Sequence, residues 1–220
     1  MSSSEQDPLL ATDGKATDDK GIPLKSAIPD QPSMAVIIIV MNTVPTIIGL
    51  IIAYYLVNDK VDQAIAVLAS YDLGWLYLGI FLLKMSTIPQ SILLGQARKD
   101  CRVNVPDQQV YKVMGTKGGS EQLGYVLMEN EGDLGRFNRA QRALMNYHES
   151  FPTIALLYVA AGFVFPLASF VMILVLAVAK IVAAMDYVEC EDRRNNAVLP
   201  ALLALSVLHG MVGIAAYKAF

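Results

Sequence analysis

The chain has 220 residues, of which 55% are hydrophobic and 17% charged, with a formal net charge of −3 and a mean hydropathy of +0.45. That balance is too apolar for an ordinary soluble domain, and no basic patch with interleaved aromatics speaks for nucleic acid. Its two cysteines, Cys101 and Cys190, are too few for a disulfide framework and fall in segments assigned below to the cytosol, where thiols stay reduced.

Residues 1–33 are rich in Ser, Asp, Lys and Pro without apolar periodicity, which predicts a cytosolic tail lacking fixed structure. Within it, Glu5-Gln-Asp-Pro-Leu-Leu10 has the form of an acidic dileucine sorting signal; an unremarkable stretch of tail is the plainer reading. Met34–Val57 then runs 24 residues without a charge, long enough to cross about 30 Å of hydrocarbon as a helix. Its late start without a basic n-region makes it a signal anchor and not a cleaved leader. Asp59–Asp72 places Val61, Ile65, Leu68 and Ala69 at helical spacing, predicting a short interfacial helix on the far side.

Leu73–Gln96 is a second span, interrupted by Lys84 and Pro89. A lysine in mid-span calls for a partner, either an acid of a neighbouring subunit or a polar channel. Residues 103–135 form a long glycine-containing loop. Its Gly115-Thr-Lys-Gly-Gly is not a phosphate loop, because the spacing and the following helix are missing. Phe151–Val164 continues a charged helix to membrane length, and Leu167–Tyr187 and Ala197–Tyr217 complete five predicted spans. The tail, residues 97–142 and the 188–196 loop hold thirteen of the seventeen Lys and Arg residues, which puts the N-terminus in the cytosol. His209, in the last span, has no second His or Cys at metal spacing, so no metal site is expected.

The segment from Arg136 to Pro152 carries the most chemistry. At 100° per residue, Arg139, Arg142, Asn146, Glu149 and Thr153 fall on one stripe, opposite Ala143, Leu144, Phe151 and Ile154. Headgroup-level snorkelling accounts for Arg136 and Arg139 but not for Asn146 and Glu149 deeper in the helix, so the stripe predicts a polar site facing the bundle interior. Pro152 cannot donate to the carbonyl of His148, which predicts a bend there.

Phe137-Asn138, Gln141-Arg142-Ala143, Asn146, Glu149 and Pro152 together resemble the second helix of the MAPEG family, the membrane-associated proteins of eicosanoid and glutathione metabolism. Lys180-Ile-Val-Ala-Ala-Met-Asp-Tyr187 with Arg193-Arg194 is similar to that family's third-helix end and loop, and Ala97-Arg98-Lys99 with Arg102-Val103 to the basic end of its first helix. The resemblance covers about residues 73–217. It implies an all-α, integral membrane four-helix bundle over 73–220, to which residues 34–72 add one N-terminal transmembrane helix and the interfacial helix.

It also implies a function. In glutathione-binding members, the positions matching Arg142, Asn146, Glu149 and Tyr187 contact the tripeptide, Arg98 and Lys99 stand where further basic contacts occur, and Arg194 matches the residue credited with stabilising the thiolate. The expectation is a microsomal-type glutathione transferase or peroxidase acting on lipophilic electrophiles or lipid hydroperoxides, with glutathione as co-substrate and a homotrimeric assembly. The alternative is a non-catalytic lipid-binding or scaffolding member. This chain departs from the pattern at Ala183, Leu144, Ser150 and Lys180, where an aromatic, a polar residue, an aromatic and an arginine would stand. The membrane implied is the endoplasmic reticulum, or an endolysosomal or vacuolar one if the tail signal is read.

Overall fold

The computed structural model describes residues 22–26, 28, 32–104, 109–113, 126–190, 193 and 197–220. The predicted tail signal at Glu5–Leu10, the glycines at 115–124 and Arg194 lie outside these residues.

α1 (Met34–Leu56) begins at Ser33, whose hydroxyl accepts the Val36 amide, and none of its residues is buried. Pro45 lies within it; one turn earlier Asn42 donates to the Ile38 carbonyl at 2.8 Å, and Thr46 donates to the Asn42 carbonyl at 2.7 Å, so its polar side chains bond to their own helix. α2 (Asp59–Ser70) is a helix over the stretch where a short one was expected, capped by Asn58 accepting from Lys60 and Val61.

The second span is two helices, α3 (Gly74–Met85) and α4 (Thr87–Cys101), broken at Ser86. Pro89 offers no N–H to the Met85 carbonyl, which is why the helix breaks one turn ahead of it. The Ser86 and Thr87 hydroxyls donate back to the Leu83 and Lys84 carbonyls at 2.7 and 2.8 Å, satisfying backbone that lipid would leave bare. α4 closes on Arg102 in the left-handed region at φ 60°, with its guanidinium on the Leu24 carbonyl at 3.2 Å.

α5 (Gly132–Val164) and α6 (Pro166–Glu189) form an antiparallel hairpin that turns at Phe165, with Pro166 at the first helical position, where its missing N–H costs nothing. Their far ends are tied by Arg136 to Glu189 at 3.2 Å and by Arg139 to the Val188 carbonyl at 3.1 Å. α5 therefore accompanies α6 along its whole length. α7 (Val198–Ala219) packs on both. The 103–135 loop contains a two-stranded ribbon that the sequence did not announce: β1 (Tyr111–Val113) pairs antiparallel with β2 (Val126–Met128).

Among the described residues, four helical segments are long and apolar enough to cross a membrane: Met34–Leu56, Gly74–Cys101, Pro166–Glu189 and Val198–Ala219. The five expected spans reduce to four by this measure, because α5 carries Asp133, Arg136, Arg139, Arg142 and Glu149 in its first half and its apolar stretch is short. The chain is thus a helical, multi-pass membrane protein.

Two apolar cores form. Leu76, Leu83, Ile154, Tyr158, Ile173, Leu176 and Leu208 build one; Ala97, Cys101, Phe137, Ala140, Ala184 and Val188 build the other, beside the ribbon. On α4, α5 and α6 alike, a polar side chain lies between these two sets: Gln90, Asn146 and Lys180.

Candidate functional site

That polar layer holds the cavity. Gln90 on α4, Asn146 and Tyr147 on α5, Lys180 and Tyr187 on α6 and Val198 on α7 line a space of about 300 Å³. The break at Ser86 positions the first wall, since the Ser86 hydroxyl shares a hydrogen bond with the Tyr147 hydroxyl, pinning the start of α4 against α5. Gln90 lies one turn further on, 2% exposed, and neither its amide nitrogen nor its amide oxygen has a hydrogen-bond partner among the described residues. Tyr147 is 2% exposed, so its ring and hydroxyl form a fixed wall.

Lys180 occupies the opposite wall with its ammonium 3.3 Å from the Ser150 hydroxyl. Ser150 spends its hydroxyl on the Asn146 and Tyr147 carbonyls, both at 3.0 Å. Lys180, Ala183 and Val198 also border a second cavity of about 230 Å³, whose lining is otherwise almost all apolar: Ile154, Leu176, Ala201, Leu202 and Leu205. A polar compartment and a greasy one thus meet at a single lysine. Ala183 matters by its size, because a tyrosine at that position would stand in both spaces.

Among the residues nominated from sequence, Asn146 and Tyr187 line the cavity. Arg142 and Glu149 do not. They sit on the outer face of α5, their side chains 45% and 57% exposed, paired with each other at 3.4 Å across the turn that carries Asn146. The expected stripe is therefore turned the other way: the buried face of α5 runs through Phe137, Ala140, Ala143, Tyr147, Ile154 and Tyr158, while Arg142, Glu149 and Thr153 face outward. The reason is volume, since that apolar face fills both cores and only one side of a helix can do so.

Arg98 is a structural tie and not part of the cavity wall. It is 9% exposed, donates to the Val103 and Asn104 carbonyls and to Gln141 Oε1 at 3.3–3.5 Å, and lies 4.9 Å over the Phe137 ring. Lys99 is half-buried beside it. Asn138 is a second tie. Its side chain accepts from the Val110 amide at 2.9 Å and donates to the Val110 and Glu129 carbonyls at 2.7 Å each, fastening both strands of the ribbon to α5 at one end. Arg136 joins Asp100 at 3.0 Å and Glu189 at 3.2 Å, so the ends of α4, α5 and α6 share one ion-pair network. Cys101 is buried in the ribbon-side core and Cys190 half-exposed, both as free thiols. No cluster of metal-ligating side chains occurs among the described residues.

Sequence reading missed Gln90 and Tyr147. A signal was present for Gln90, an amide directly after Pro89 inside an apolar run, where a polar group survives only if something bonds to it. Tyr147 sat in a polar run and did not stand out. Comparison with protein-family models and with curated protein sequences returns no match for this chain.

Proposed function

We propose that the chain is a MAPEG-like membrane protein that binds glutathione in the cavity between α4, α5, α6 and α7 and presents its thiol to lipophilic electrophiles or lipid hydroperoxides. The observation that carries this reading is the cavity itself: a space of about 300 Å³ in the middle of an apolar bundle, walled by an ammonium, two carboxamides and two phenols. Glutathione has two carboxylates, an ammonium, two amides and a thiol. A site for it needs cations, acceptors and amide partners at close quarters, and Lys180, Gln90, Asn146 and Tyr187 supply these.

Bound glutathione would supply a sulfur nucleophile, and the chain's task is to keep it ionised. A thiol of pKa near 8.5 is only about 3% thiolate at pH 7, and lowering that pKa by about two units corresponds to roughly 2.7 kcal/mol. A guanidinium held at the membrane edge stays charged at any relevant pH, and Arg194 is assigned that role from the resemblance. The adjoining apolar space suits the electrophile's hydrocarbon part.

The same apolar space favours a second reading, a lipid-binding scaffold without catalysis. Isothermal titration of the detergent-solubilised protein with glutathione separates the two: micromolar to millimolar binding supports the first, and no heat of binding leaves the second. On the first reading, Asn146→Ala weakens binding about tenfold or more, whereas Arg194→Ala keeps affinity within several-fold, lowers turnover and raises the pH optimum.

Assembly and topology follow from the same reading. Lys84 is exposed on α3, eleven residues into a 28-residue crossing, and its ammonium has no partner among the described residues. The Ser86–Tyr147 bond sets this level beside the middle of α5, where Glu149 is exposed. A second copy can bring the two charges together, which supports the homotrimer implied by the resemblance. α5 is assigned as a fifth crossing because it accompanies α6 from end to end, which leaves the N-terminus in the cytosol and the C-terminus opposite.

A further inference from the structure

We infer that Gln90 reads one extended residue of the bound peptide, its carboxamide accepting from that residue's N–H and donating to the same residue's C=O. This rests on the glutathione reading above and adds to it a residue outside the family resemblance. A carboxamide has two donors and one acceptor oxygen, and in native interiors these are almost always paired. Gln90 is 2% exposed with both polar atoms unpartnered among the described residues, while the neighbouring hydroxyls are satisfied: Ser86 by Leu83 and Tyr147, and Ser150 by Asn146 and Tyr147.

Its placement limits what the partner can be. Gln90 lines the cavity with Tyr147 and with Lys180 of α6, the only cation on the wall among the described residues. A ligand held by both carries an anionic group and, a few bonds away, a neutral group that donates and accepts at once. An extended residue within a peptide presents its own N–H and C=O on one side, and a carboxamide pairs with the two through parallel hydrogen bonds. A fatty-acid tail gives Gln90 nothing to bond.

Such a residue separates stability from binding. Replacing a buried, unpaired polar group by an apolar one of the same shape is neutral or stabilising, whereas removing a ligand's two hydrogen bonds weakens it by about tenfold or more. The test uses the full chain in lipid nanodiscs with glutathione as probe. Gln90→Met, which keeps the side chain's length, is expected to leave the ligand-free Tm unchanged or raised and to weaken glutathione binding at least tenfold; Gln90→Leu serves as the second variant if Met does not fold. Unchanged affinity in a variant, with the wild type binding, overturns the inference alone. A lowered ligand-free Tm in both variants overturns it too, since Gln90 is then a packing residue. A wild type that binds no glutathione sinks this inference together with the reading it rests on.

Discussion

At the scale of single residues, the ties outside the cavity are the most exposed to test. Asn138 holds both strands at one end of the ribbon through three hydrogen bonds while itself 2% exposed. Each such bond contributes about 1 kcal/mol net, and stranding the Val110 groups adds to the loss, so Asn138→Ala should destabilise the ribbon by about 2–4 kcal/mol. Hydrogen exchange is the measurement: amides of 109–113 and 126–130 should exchange at least tenfold faster while those of α6 keep their rates. Arg98 makes a matching case. Its planar fork reaches two carbonyls and Gln141 while stacking on Phe137, so Arg98→Lys should recover little of the stability that Arg98→Ala loses in thermal unfolding. Equal stability of the Lys variant and wild type would show that charge alone suffices there.

At the scale of elements, close approach decides how the helices meet. Gly79 on α3 lies so near Tyr158 that any Cβ there would overlap the phenol, whose hydroxyl donates to the Trp75 carbonyl at 2.8 Å and the Leu76 carbonyl at 3.2 Å. Gly79→Ala must push α3 off α5 or break those bonds, and should cost about 1–3 kcal/mol in denaturant unfolding in detergent. Helix positions were legible in the sequence to within a few residues, because long apolar runs and prolines mark them directly. What could not be read was rotation about the α5 axis. Its charged stripe and its apolar stripe were both visible, but a membrane gives no general rule for which faces inward, and the packing of Phe137, Tyr147 and Tyr158 settled it. The ribbon escaped for a different reason: its strands are three residues long and are held by Asn138 from a distant segment, so no local pattern announces them. Of the site, Asn146 and Tyr187 were legible from resemblance, whereas Gln90 needed the geometry of the Ser86 break.

For the molecule as a whole, the question is how many times it crosses. α5 fails a test of length and composition, yet a hairpin turning at Phe165 carries its end to the depth where α6 begins. Cysteine probes settle the matter: with five crossings, reagents added from the cytosol should label positions near Gly118 and miss one at Asp62. Labelling at Asp62 from that side would overturn the assignment. Native mass spectrometry in mild detergent should give three times the 23.9 kDa monomer, and Lys84→Leu, which removes the unpartnered charge, should change the proportion of trimer. A monomer under all mild conditions would instead leave Lys84 facing lipid. Replacing Leu9 and Leu10 by Ala should move the protein to the cell surface if the tail signal operates; reticular staining of both forms shows that it is idle.

One arrangement has a consequence for how the protein comes into being. α1 touches the bundle where Met34 and Ile38 lie against Gly95, and no residue along its length is buried. Its backbone is satisfied by its own helical bonds and its side chains by lipid, so it owes the remaining helices almost nothing. It can therefore enter the bilayer and persist there while the rest of the chain is still being synthesised, acting as a mooring instead of a wall.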